Sequence, residues 1–130
     1  MESTELEELL VPDCGTAVNY LHETGVSAAG AAIMQEKMVF KVIRLRRIPT
    51  KAANLIKQTF LAKGADAAVS VHSADLSEAY TDVLLFATLQ QYRQAVNSLQ
   101  RQPWGLPAVA DRLAALLGIS MDDRQDFIGQ

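Results

Sequence analysis

The residues with chemistry to offer are few and far apart. Cys14 falls in the first turn of a helix opened by Asp13, where a helix dipole lowers a thiol's pKa. A nucleophile also needs a base within hydrogen-bond reach, and His22 lies two turns on, roughly 12 Å away by helical rise. Cys14 therefore reads as a structural cysteine, and as the sole cysteine it has no internal disulfide partner. His72, Asp75 and Glu78 gather in one short stretch with no fourth ligand spaced beside them, so no metal site is expected. Ser70, Ser73 and Ser77 lack the Gly-x-Ser-x-Gly elbow of a hydrolase. The glycines form neither a Gly-x-Gly-x-x-Gly turn nor a phosphate loop. No catalytic residue, metal or cofactor is assigned.

Two groups remain as binding candidates. Arg44 and Arg46 share one side of a strand, Arg47 follows, and the chain then enters a helix at Thr50. Guanidinium groups beside a helix N-terminus suit a phosphate or carboxylate, so Arg44, Arg46, Arg47 and Thr50 form a candidate anion site. The alternative is a solvated basic edge that discourages strand-to-strand aggregation. The second group surrounds the only tryptophan. Trp104 either plugs the core between two helices or, with Pro103 and Leu106, anchors an interface.

The arginines belong to a wider segregation of charge. Lys37 to Lys63 holds eight basic residues and no acidic one, which leaves four basic and fifteen acidic residues elsewhere. The strip either offsets the acidic ends, Glu2 to Glu8 and Asp122 to Asp126, or faces an anionic ligand or partner. Nucleic acid is not expected: the net charge is −3, and only Phe40 interleaves the strip as an aromatic platform.

These residues must be positioned by a small fold. With 130 residues, 49% apolar and 21% charged, the chain suits one globular domain and is too short for a (β/α)8 barrel. We expect a domain over 9–118, an acidic tail over 1–8, and an acidic tail or linker start over 119–130. No apolar run approaches 18 residues, so no membrane partner is expected, and the acidic start lacks a secretory signal. The expected address is cytoplasmic.

Thr4 and Glu7 have capping-box spacing in a frayed start, and Leu9 to Val11 reads as a short edge strand before Pro12. A first helix runs from the Asp13 cap to Gly25 with Ala17, Val18 and Leu21 inward. Ala31 to Met34 and Met38 to Leu45 read as a hairpin around Gln35-Glu36-Lys37, its second strand inside the sheet because both faces are partly apolar. Thr50 caps a helix that buries Ala52, Ala53, Ile56, Phe60 and Leu61 and stops at Gly64. Ala67 to Val71 follows as a strand, completing a right-handed βαβ unit with two parallel strands. Beyond a surface loop, Asp82 to Ala87 is a buried strand. Thr88 and Gln91 then form the capping box of a helix with Leu89, Tyr92, Val96 and Leu99 inward. Pro107 starts a last helix burying Val109, Leu113 and Leu116. The fold expected is α+β: a two-layer domain whose mixed sheet carries helices mainly on one face.

Ordered segments of the chain resemble a known family. They are Pro49 with Ala52-Ala53-Asn54-Leu55-Ile56-Lys57-Gln58, Gly64-Ala65-Asp66-Ala67-Ala68-Val69, Thr81-Asp82-Val83-Leu84-Leu85 with Thr88, and Gln102-Pro103-Trp104-Gly105-Leu106. The series resembles the N-terminal extension that precedes the catalytic barrel in long bacterial dihydropteroate synthases, over residues 9–118 and most densely over 49–106. Phe86-Ala87 stands where that family has Met-Gly, and Trp104 where it has Phe. Those enzymes join a pterin pyrophosphate to p-aminobenzoate, and the resemblance leaves that chemistry to the barrel. The family's pterin-binding segments have no counterpart here, so no catalytic residue is carried over. The resemblance implies a non-catalytic accessory domain of folate biosynthesis, with the synthase barrel or a second copy of itself as partner. The alternative is a regulatory domain that binds a small anion or phosphorylated ligand on the Lys37 to Lys63 strip.

Overall fold

Asp13 and Ser27 set the first two helices. The Asp13 carboxylate accepts the Thr16 N–H at 2.7 Å and opens α1 (Cys14–Thr24), which Gly25 ends in the left-handed conformation. Ser27 Oγ accepts the Gly30 N–H at 3.1 Å and opens α2 (Ala28–Met34), continued by a 3₁₀ turn (Gln35–Lys37). The computed structural model describes residues 4–73 and 75–120 and divides into two compact units, Met1–Val39 and Phe40–Gln130.

In the first unit α1 packs on α2 and on the 3₁₀ turn, with Ala17, Leu21, Ala31 and Val39 buried. The hairpin expected from Ala31 onward is thus replaced by a helix. Ser27 is a cap ahead of Ala28, Ala29, Ala31 and Ala32, and alanine is the strongest helix former. Residues 4–12 lie in neither helix nor strand, so the Leu9 to Val11 edge strand is not formed. The expected tail residues 1–3 and 121–130 lie outside the described residues.

The second unit is built on three strands, β1 (Phe40–Pro49), β2 (Asp66–Val69) and β3 (Tyr80–Thr88), in the order β1-β3-β2. Thr81, Val83, Leu85 and Ala87 of β3 are buried while the residues between them are not, the period-2 pattern of a strand with one covered face. Helix α3 (Thr50–Ala62) covers that face with Ala52, Ala53, Ile56 and Phe60, and α4 (Leu89–Leu99) with Tyr92, Ala95, Val96 and Leu99. α5 (Leu106–Leu117) packs on α4 and adds Leu106, Ala110, Leu113 and Ala114. The Phe60 and Tyr92 rings meet edge to face at 5.5 Å inside this core. The Thr88–Gln91 capping box forms with both bonds, at 3.2 and 2.9 Å.

The α+β architecture is the one expected, and several details differ. Both ladders are antiparallel, so the sheet is not mixed. β1 and β2 run in the same direction, as a β1-α3-β2 unit requires, but β3 lies between them. Apolar on both sides and nine residues long, β3 takes the position where both its edges are hydrogen-bonded. β1 is therefore an edge strand, and its second apolar face (Phe40, Val42) is left open rather than buried. Pro49, not Thr50, caps α3; Thr50 is its first residue, buried, with its N–H donating to Ala79 O at 3.0 Å. In α3 the inward position falls to Thr59 while Leu61 is exposed; in α5 it falls to Ala110 and Ala114 while Leu116 is exposed.

Candidate functional site

Three residues of the candidate anion site, Arg46, Arg47 and Thr50, lie at one end of the sheet and have internal partners there. Leu45 pairs with Val83 and Ile48 with Thr81, so Arg46 and Arg47 together oppose Asp82, a β-bulge. Arg47 occupies the left-handed region (φ 55°). The Asp82 carboxylate holds the bulge: Oδ1 accepts the Arg47 N–H at 2.9 Å, and Oδ2 lies 3.5 Å from the Arg46 guanidinium. The Arg47 guanidinium sits over the Tyr80 ring at 4.2 Å. Arg46, Arg47, Ser70, Tyr80 and Thr81 line an open groove of about 580 Å³ together with Asp82 and Glu78. The two arginines therefore share the groove with two carboxylates, of which Asp82 contacts both. Arg44 stands apart on the open sheet face opposite Leu84, and Thr50 is turned toward Ala79. The phase slip from Ile43 and Leu45 to Ile48 was the sequence signal for this bulge.

Cys14 is half-buried in α1 and His22 exposed in the same helix. His72 Nε2 and Glu78 Oε1 lie 3.9 Å apart, while Asp75 instead accepts the Ser77 N–H at 2.9 Å, which lowers its pKa. Among the described residues no three His, Cys, Asp or Glu side chains gather as a metal site. Nor is any described helix long and apolar enough to cross a membrane.

The trio around Trp104 is split. Leu106 is fully buried in the core, whereas Pro103 and Trp104 are exposed. Trp104 is not a core plug: it is 57% exposed, in the left-handed region (φ 59°), with Lys51 Nζ 6.0 Å from the ring. A bulky residue held there is strained, a feature that clusters at functional sites.

One face of the second unit's sheet is uncovered, as helices packed mainly on one face imply, and apolar side chains stand on it. Register puts Phe40 beside Thr88, Val42 beside Phe86 and Arg44 beside Leu84, with Asp66 and Ala68 of β2 on the far side of Phe86 and Leu84. Phe40 and Val42 are 58% and 59% exposed. Asp66 fixes the β2 margin: it accepts its neighbour Ala67's N–H at 2.7 Å and the Lys57 ammonium at 3.0 Å. That backbone bond first, then the lysine, lowers its pKa below 3.8. The stabilisation is therefore present above pH 3.8 and lost as pH falls below it. Taken from pH 7 to pH 3, the parent chain is expected to lose more of its urea midpoint than Asp66→Asn.

The chain is 32% identical over 99 residues to a probable bifunctional folylpolyglutamate synthase/dihydropteroate synthase of Halobacterium salinarum (strain ATCC 700922 / JCM 11081 / NRC-1). The match takes in 76% of this chain and 12% of that protein, so the chain is related to a small stretch of a folate-pathway protein. No known family matches the sequence, and no solved structure matches it.

Proposed function

We propose that the chain is a non-catalytic accessory domain of dihydropteroate synthase that docks on the catalytic barrel through the open face of its sheet. The observation that carries this reading is the match itself: a module-sized stretch, 12% of a much longer bifunctional protein. Two features support it. The candidate chemical groups are spread over the chain or tied into internal pairs, as a binding domain permits and an active site does not. And Phe40, Val42, Leu84 and Phe86 give a continuous apolar strip flanked by Arg44, the composition of an interface centre with a charged rim. Trp104 and Pro103 offer a second exposed contact of the kind enriched at interface hot spots.

The test is enzymatic. The chain alone is expected to form no pteroate from pterin pyrophosphate and p-aminobenzoate. Adding it to the synthase barrel encoded in the same genome is expected to change that enzyme's rate or thermal stability, and Val42→Asp to remove the effect. Turnover by the chain alone contradicts the reading, and so does a barrel indifferent to it.

A further inference from the structure

The β-bulge brings two neighbouring arginines to one groove. In a regular strand adjacent side chains point to opposite faces, so Arg47 would fall in line with Ile43 and Leu45 on the covered face. The extra residue gives that place to Ile48 and leaves Arg46 and Arg47 lining the same open groove. Its volume, about 580 Å³, is that of a small-molecule site. The arrangement holds Arg47 in the left-handed region, a conformation that glycine adopts freely and an arginine does not.

The charges in the groove are unevenly answered. Asp82 is committed to the bulge, with one oxygen on the Arg47 N–H and the other 3.5 Å from the Arg46 guanidinium. The Arg47 guanidinium has the Tyr80 ring against its flat face at 4.2 Å. Among the described residues no carboxylate pairs with it, so its in-plane N–H groups point to solvent. Such a stacked guanidinium keeps the two parallel donors that a carboxylate takes. Glu78, in the same groove, meets only the His72 imidazole at 3.9 Å, a cation only when protonated.

We propose that this groove binds a small zwitterion, its carboxylate on the edge of Arg47 and its ammonium on Glu78. A simple anion leaves Glu78 facing like charge, and phosphate, with its higher charge, is opposed by Asp82 as well. A simple cation leaves Arg47 unanswered. A molecule that carries both groups, as an amino acid does, satisfies both.

Nuclear magnetic resonance titrations of the full chain, read at the Arg47 and Tyr80 amides at constant ionic strength, test this. No synthase is present, so the outcome is separate from that of barrel docking. Glycine, β-alanine and γ-aminobutyrate vary the distance between the two charges, while acetate, methylammonium and inorganic phosphate each supply one sign. At least one amino acid is expected to bind saturably, about tenfold tighter than any probe of a single sign. Arg47→Gly puts glycine where the backbone suits it; the variant is expected to keep the parent's circular dichroism spectrum and bind about tenfold more weakly. Glu78→Gln is expected to erase the preference for the amino acid over acetate. The proposal is overturned by the absence of a saturable shift with every amino acid, or by acetate or phosphate binding as tightly as the best of them. An Arg47→Gly protein that binds like the parent, or a Glu78→Gln protein that keeps the preference, overturns it equally.

Discussion

Tyr92→Ala is expected to destabilise the Phe40–Gln130 unit by about 3–5 kcal/mol, the range for deleting a buried aromatic ring. Tyr92 is fully buried in α4, its ring against Phe60 and its hydroxyl 2.9 Å from Lys41 O and 3.2 Å from Leu85 O. One phenol thereby ties a helix to the edge strand and the central strand together. Since whole domains are stable by about 5–15 kcal/mol, this one change removes much of the total. Tyr92→Phe keeps the ring and removes only the hydrogen bond, so a smaller loss of about 1–3 kcal/mol is expected. Burial pushes the phenol well above its ordinary pKa of 10.0, so its contribution is present below pH 10 and lost as pH rises beyond it. Urea midpoints of the three proteins, at pH 7 and in alkali, give the ranking directly.

The second large effect separates core from interface within three residues. Leu106→Ala is expected to cost about 2–5 kcal/mol, because Leu106 is wholly inside the core beside Ala110 and Leu113. Trp104→Ala, two residues earlier, removes a larger but mostly exposed side chain and is expected to cost under about 1 kcal/mol. If docking uses Trp104, the ranking reverses when binding to the synthase barrel is measured instead of unfolding. A Leu106→Ala protein that unfolds like the parent contradicts the core assignment.

The contrast between these two residues shows what the sequence carries. Capping residues and inward faces were legible wherever a local rule decides: Asp13, Gly25, Gly64, Pro107 and the Thr88–Gln91 box all act as their chemistry dictates. The antiparallel order of the sheet was not, because inserting β3 between β1 and β2 is decided by which strand can bury both its edges. The same limit hid the edge position of β1, which leaves Phe40 and Val42 on the open sheet face. Phe40 and Val42 on one side of β1, with Ile43 and Leu45 on the other, look alike whether the strand is central or is an edge strand with one uncovered face. Ala31 to Met34 forms part of a helix rather than a strand for a local reason, the Ser27 cap before an alanine run. For the candidate site, the sequence picked out Arg46 and Arg47 but not Asp82, Glu78 and Tyr80, which reach them only through the fold. Burial of Leu106 and exposure of Trp104 likewise depend on how α5 packs on α4, a tertiary fact.

The most direct measurement of the central claim is a binding isotherm of the full chain against the dihydropteroate synthase barrel of the same genome. Saturable complex formation, weakened at least tenfold by Val42→Asp in a protein whose unfolding matches the parent's, is the expected result. A barrel that shows no association with the chain at any workable concentration contradicts the account.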